Sequence, residues 1–190
     1  MQVPAAEMEF QNTLLGSVDV TKQIGGAFVG LEMPDPFFSF GFFRNRFVDA
    51  GTPVPFHIAL MNHNGEDQSV PAELVLPPHA SKTLPAGLVL KISWSPKVPP
   101  AMQRFDVPQF DYGAFQNLPM RAGVTVTKPS TPGLTLQPTG TCTILEGDLR
   151  DYFDLARPGT YKIKARFQVA GQSPAETREI TFSIAPKEQK

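Results

Sequence analysis

Tyr161-Lys162-Ile163-Lys164-Ala165-Arg166-Phe167-Gln168-Val169 is the stretch that decides the fold class. Apolar Tyr161, Ile163, Ala165, Phe167 and Val169 alternate with Lys162, Lys164, Arg166 and Gln168. Successive side chains on a strand point to opposite faces, so this period of two predicts an antiparallel strand with one face on a core. Downstream, Gly171-Gln172-Ser173-Pro174 predicts a hairpin-type loop. Ile180, Phe182 and Ile184, separated by Thr181 and Ser183, predict the partner strand.

Immediately upstream, Arg157-Pro158-Gly159-Thr160-Tyr161 has the order of a tyrosine corner. In that device a tyrosine near the start of a strand donates its hydroxyl to the backbone a few residues earlier and locks the preceding turn. Gly159 allows a close approach and Pro158 presets the turn, so Gly159 and Tyr161 are expected to form a structural corner. Ile163 stands where antibody domains carry the second cysteine of their inter-sheet disulfide. The chain has one cysteine, Cys142, so no intrachain disulfide exists and packing must hold the sheets together. Cys142 lies in the strand-like run Thr141–Leu145 and reads as a small buried hydrophobe.

Working outward, Val54, Phe56, Ile58 and Leu60 alternate up to a turn at His63-Asn64-Gly65, and Leu88, Leu90, Ile92 and Trp94 alternate up to Ser95-Pro96. Val124–Val126, Thr141–Leu145 and Phe37–Phe43 are further candidates, which makes about seven strands after residue 35, the number an immunoglobulin-like sandwich needs. Twenty prolines among 190 residues punctuate the whole chain. Each interior proline costs a helix about 3 kcal/mol, which leaves little room for long helices. The fold class expected is all-β, an immunoglobulin-like antiparallel β-sandwich of about seven strands with a long aromatic loop. Residues 1–35 are expected to be an N-terminal arm or edge strand, with Gly25-Gly26 breaking whatever follows. Residues 36–186 form the sandwich and residues 187–190 a polar tail.

Leu134-x-Leu136-x-Pro138, Gly147-Asp148-Leu149, Tyr152-Phe153-Asp154-Leu155 and Pro158-Gly159-Thr160-Tyr161 together give the last third of the chain a family likeness. It resembles the non-catalytic immunoglobulin-like accessory domains of secreted and surface proteins, including those that precede deuterolysin-type metallopeptidases. The resemblance implies the fold. The His-Glu-x-x-His helix of such peptidases is missing from the sequence, so their activity does not carry over.

Chemistry is hard to find. His57, His63 and His79 are spaced like no zinc motif, and no nucleophile elbow, Walker loop or dinucleotide fingerprint occurs. Glu146, Asp148, Asp151 and Asp154 are dense but interleaved with Arg150 and Arg157, and they read as a solvated connection rather than a calcium loop. The expectation is therefore no enzyme, no cofactor and no metal. A net charge of −1 excludes nucleic acid on this reading, and the lack of an apolar run of roughly twenty residues excludes membrane insertion. Met1 as the native start would imply the cytoplasm, and a removed signal peptide an extracellular or periplasmic site.

Aromatic residues supply the functional clue. Phe37, Phe38, Phe40, Phe42 and Phe43 would put rings on both faces of one strand, so Phe37 and Phe43 need cover from elsewhere. From Ser95 to Arg121 runs an excursion without strand pattern that carries Phe105, Phe110, Tyr112 and Phe115. Loops of this length are commonly functional. Phe37, Phe43, Phe105, Phe110, Tyr112 and Phe115 are the expected interaction surface. The function expected is a non-catalytic protein-interaction or structural module with a protein partner or self-association. The alternative is a carbohydrate-binding or adhesion domain that stacks sugars on Trp94, Phe110 and Tyr112, with Asp106, Gln109 and Asp111 beside them.

Overall fold

In the computed structural model, which describes residues 19–24, 27–32, 46–62, 64–77, 80–99, 110–128, 134–177 and 179–186, strands dominate. They are β1 (Asp19–Ile24), β2 (Ala27–Glu32), β3 (Arg46–Val48), β4 (Pro55–Asn62), β5 (Gln68–Ser69), β6 (Thr83–Leu84) and β7 (Leu88–Ser95). There follow β8 (Gln116–Leu118), β9 (Thr125–Val126), β10 (Thr135–Leu136), β11 (Thr141–Asp148), β12 (Gly159–Phe167), β13 (Ala175–Glu176) and β14 (Ile180–Ile184). Among the described residues helix is confined to one four-residue turn, α1 (Leu149–Tyr152), and a 3-10 turn at Ala72–Leu74. The protein is all-β.

Two sheets carry the architecture. One runs β1-β2-β4-β11. The other runs β3-β14-β12-β7-β8, with β13 also paired to β12. All pairings in these two sheets are antiparallel except β3 with β14, which is parallel. Two-stranded ribbons, β5 with β10 and β6 with β9, complete the set. Phe56, Ile58 and Leu60 from the first sheet and Leu90, Ile92, Tyr161, Ile163, Phe167 and Phe182 from the second belong to one buried cluster, so the sheets face each other across a common core. Each such side chain contributes about 1.5–3 kcal/mol on burial.

The alternation that predicted β12 is what the strand does. Tyr161, Ile163, Ala165 and Phe167 are buried, while Lys162, Lys164 and Arg166 are half-exposed. β7 pairs with β12 from Thr160↔Ser95 to Phe167↔Leu88, which places Ile92 opposite Ile163 at the centre of the sheet. That centre is aliphatic. Trp94 sits at the end of β7, half-buried, with Nε1–H donating to Pro158 O at 3.2 Å and the Arg157 guanidinium 5.4 Å above its ring.

The N-terminal segment contributes a hairpin. β1 pairs with β2 and β2 with β4, so β1 forms the outer strand of the first sheet. Gly25-Gly26 lies between the two strands and does not end the pattern: β2 runs on to Glu32. The predicted aromatic strand Phe37–Phe43 lies outside the described residues. A second departure concerns Ser95–Arg121, where sequence gave no strand. β8 forms there and pairs with β7 through Trp94↔Gln116, Ser93↔Asn117 and Ile92↔Leu118. Gln116 and Asn117 are polar and exposed on an open edge, and Leu118 alone gives no alternation, which erases the hydrophobic signal.

The connection from β11 to β12 is closed by directed bonds. Asp148 accepts from Arg150 N at 3.0 Å and from Val54 N at 2.9 Å, capping α1. Arg150 donates from Nε to Thr52 O and from Nη1 to Leu155 O at 3.1 Å, which ties two loops together. Tyr161 is buried, stacked at 5.2 Å on Phe182, and its hydroxyl donates to Arg157 O at 2.6 Å. Burial first, and then the charge of Asp154, push its hydroxyl up to about 12. Gly159 has φ +149°, and a Cβ there would overlap Ser95 O and Trp94 Nε1.

Two outcomes follow for the corner. The native Tyr161 holds its proton more tightly than the unfolded chain, whose tyrosine titrates near 10, so the folded state loses stability as pH rises from about 10 to 12. Tyr161→Phe is expected to lower stability at neutral pH by about 1 kcal/mol in urea titration and to flatten this alkaline loss. Gly159→Ala is expected to cost about 3 kcal/mol or more, because both the steric overlap and the left-handed φ act against it. An unchanged urea midpoint for Gly159→Ala would show that β7 and the corner do not approach this closely.

Candidate interaction surface

The outward face of the larger sheet is built from rows that cross its strands. The register puts Ser183, Thr160 and Ser95 side by side, then Thr181, Lys162, Ser93 and Asn117, then Lys164 with Lys91, then Glu176, Arg166 and Val89. The first row is roofed. Thr160 Oγ1 donates to Lys97 O at 2.7 Å and lies 2.9 Å from Ser183 Oγ, and Ser95 Oγ donates to Tyr112 O. Ser95, Thr160 and Ser183 are all buried. Three hydroxyls on three adjacent strands thus seat both ends of the long loop on the sheet.

Seating the loop places its aromatic residues at one end of the face. Phe110, Tyr112 and Phe115 are each half-exposed. Phe110 and Tyr112 meet at 4.7 Å with planes 68° apart, and Tyr112 and Phe115 at 6.1 Å and 45°. These rings share no common plane, and Trp94 lies on the opposite face of β7, so the four do not compose a sugar-stacking platform. Asp111 is bound to Lys97 at 2.6 Å, and this ion pair together with the Gly113 N–H holds its carboxyl below the ordinary range. Of the six residues expected to form a contact surface, the structure brings together Phe110, Tyr112 and Phe115. Phe37, Phe43 and Phe105 lie outside the described residues, as do Asp106 and Gln109.

Beyond the rings the face is cationic. Lys162 Nζ lies 4.5 Å over the Phe115 ring and 2.9 Å from Glu179. Lys164 and Lys91 stand directly opposite each other across the strands, and both bind Glu176, at 2.9 and 3.3 Å. The hydrogen bonds from Lys164 and Lys91 hold the Glu176 carboxyl below its ordinary range. Arg166 makes no ion pair among the described residues. Two carboxylates against Lys91, Lys162, Lys164 and Arg166 leave a surplus of positive charge. Sequence reasoning missed this face, although the charged half of the strand it started from was in plain view. It used the charges only to mark the face away from the core, and only pairing with β7 brings Lys91 into register with them.

Elsewhere, polar groups close turns. Asn62 is fully buried and donates to the carbonyls of Glu66, Leu136 and Gln137 while accepting from Asn64 N. His57 lies 3.1 Å from the Thr143 hydroxyl across β4 and β11. Of the acidic cluster, Asp148 caps α1, Asp151 pairs with Lys82 at 3.6 Å and Asp154 accepts from Ala156 N. His63 and His79 lie outside the described residues. Among the described residues no group of three or more His, Cys, Asp or Glu is placed to hold a metal ion, and no helix is long and apolar enough to cross a membrane.

No family model and no curated protein matches the chain. Among solved structures it is similar to the Pseudomonas fluorescens alkylpurine DNA glycosylase AlkC bound to DNA containing an abasic site analog, at 10% identity and a TM-score of 0.31. The likeness covers 95% of this chain and 35% of that one, so the chain spans about a third of that protein's length. That protein is bound to DNA, whereas composition was read as excluding nucleic acid here; that exclusion is withdrawn on the chain's own charge distribution, which gathers Lys91, Lys162, Lys164 and Arg166 on one face. The physical weakness of the exclusion is plain: a net charge of −1 averages over all faces and hides the cationic one. At this TM-score the likeness carries no argument about what the chain itself does.

The roofed row has a measurable consequence. Thr160→Val removes a hydroxyl bonded to Lys97 O and Ser183 Oγ and leaves the buried Ser183 hydroxyl and the Lys97 carbonyl short of a partner. It is expected to cost about 1–3 kcal/mol. Amide hydrogen exchange at Lys97 and Gly113 is expected to accelerate while the β12 amides stay protected. Unchanged exchange at Lys97 and Gly113 would show that the hydroxyls do not seat the loop.

Proposed function

We propose that the chain is a non-catalytic protein-interaction module, an immunoglobulin-like sandwich that presents the outward face of its larger sheet to a protein partner. Strand order supports the sandwich type. Immunoglobulin-like domains set a B strand beside E in one sheet and C, F and G in the other, with a tyrosine corner on the E–F connection. Here β4 lies between β2 and β11, β12 lies between β7 and β14, and the Tyr161–Arg157 bond sits on the connection from β11 to β12.

The observation that carries the functional reading is the seated loop. Buried hydroxyls of Ser95 and Thr160 fix a segment that would otherwise move, and they do so where it sets Phe110, Tyr112 and Phe115 beside an open row of lysines. Binding residues are commonly carried on loops that a rigid scaffold positions, and rigid aromatic side chains lose little entropy on contact.

A photo-crosslinking amino acid at Asn117, on this face, and at Thr143, exposed on the other sheet, tests the reading in the native host. A discrete protein adduct from position 117 and none from position 143 is expected. Absence of adducts at 117, or the same adducts from both positions, would defeat it.

A further inference from the structure

We infer that the partner docks an extended acidic segment along the Lys162–Lys164–Arg166 row, with Lys91 as a fourth contact. This rests on the interaction-module reading and names the chemistry of its partner. Alternate residues on a strand lie about 6.6–6.8 Å apart on one face, so an extended segment with carboxylates at every second residue repeats at the same distance as the cations it would meet.

Three observations support a protein carboxylate as occupant. First, the cations outnumber the carboxylates. Lys91 and Lys164 share Glu176 although they stand opposite one another, Lys162 binds Glu179, and Arg166 makes no ion pair among the described residues. Like charges directly opposite on a sheet repel, and an added carboxylate relieves that repulsion. Second, Glu176 and Glu179 hold three of the lysines in place, so less side-chain freedom is lost when a partner binds. Third, the row ends against Phe115, whose half-exposed ring offers an apolar contact next to Lys162. An acidic segment with one apolar side chain at its end matches that sequence of surfaces. Glu176 and Glu179 sit inside the row, which suits discrete carboxylates spaced between them better than an unbroken line of phosphates.

Fluorescence anisotropy with a labelled peptide of about twelve alternating Glu and Thr residues, long enough to cover the row, tests the inference, with a Lys–Thr peptide and an oligothymidylate of similar length as comparisons. The acidic peptide is expected to bind and the basic one not, with binding falling as salt is raised to about 0.5 M. Lys162→Gln with Lys164→Gln is expected to weaken binding about tenfold, as loss of desolvated charge contacts does. Glu176→Gln with Glu179→Gln is expected to tighten it about threefold, because the surplus grows. The tightening arm separates recognition from unfolding, since a damaged face would lose affinity. Absence of peptide binding, or indifference to both double variants, overturns the inference. So does tighter binding of the oligothymidylate with the same response to the variants, which would assign the row to phosphates. If the peptide fails while position 117 still gives its adduct, the face is an interface of other chemistry. If both fail, the module reading falls with it.

Discussion

Eight consecutive residue pairs between β7 and β12, from Thr160↔Ser95 to Phe167↔Leu88, set the register on which the rest of the structure depends. Strand side chains alternate with a period of two, so a slip of one residue would turn Tyr161, Ile163, Ala165 and Phe167 outward and bury Lys162, Lys164 and Arg166. Core and surface are therefore one decision here. The pairing that brings Ile92 against Ile163 also brings Lys91 against Lys164. Gly159 lets the end of this pair close, since any side chain there would strike Ser95 and Trp94.

The corner and the loop are two answers to the same problem, how to hold irregular backbone against a sheet without a disulfide. At the corner, Tyr161 bonds Arg157 O while Asp148 and Arg150 tie α1 to the neighbouring loops. At the loop, Ser95 and Thr160 occupy outward positions of their strands and yet are buried, because backbone carbonyls of Tyr112 and Lys97 descend onto them. The Tyr161, Ser95 and Thr160 bonds are neutral, with a net worth of about 1 kcal/mol each, but their loss leaves a buried hydroxyl position unpaired. That asymmetry makes the geometry specific even where it adds little to stability.

The all-β class was legible because β7 and β12 alternate between buried and more open residues, while β4 and β14 carry apolar residues at alternate positions although both of their faces are largely buried. Tyr161 could be singled out because its neighbours Pro158 and Gly159 have their own turn preferences. β8 was not legible: Gln116 and Asn117 carry no apolar signal, and the strand exists because β7 offers it an edge. β2 was obscured by Gly25-Gly26, which marks a connection between strands rather than an end. At the site, the rings of Phe110, Tyr112 and Phe115 could be named from composition, but their mutual angles are a tertiary property. Ser95 and Thr160 gave no hint, since a small hydroxyl on a strand reads as solvent-facing until something covers it. The cationic row was half visible in β12 alone. Lys91 lies in another strand, and only pairing unites them.

The parallel pairing of β3 with β14 joins residues 46–48 to residues 182–184. A ribosome adding about 5–20 residues per second takes on the order of ten seconds to cover that interval. β3 is therefore made early and waits for β14, as β4 waits for β11 and β7 for β12. A nascent chain in this state offers open strand edges to its neighbours on the same message, so translation speed through residues 49–181 and the chaperones that meet the emerging segment bear directly on how much of the protein reaches its sandwich.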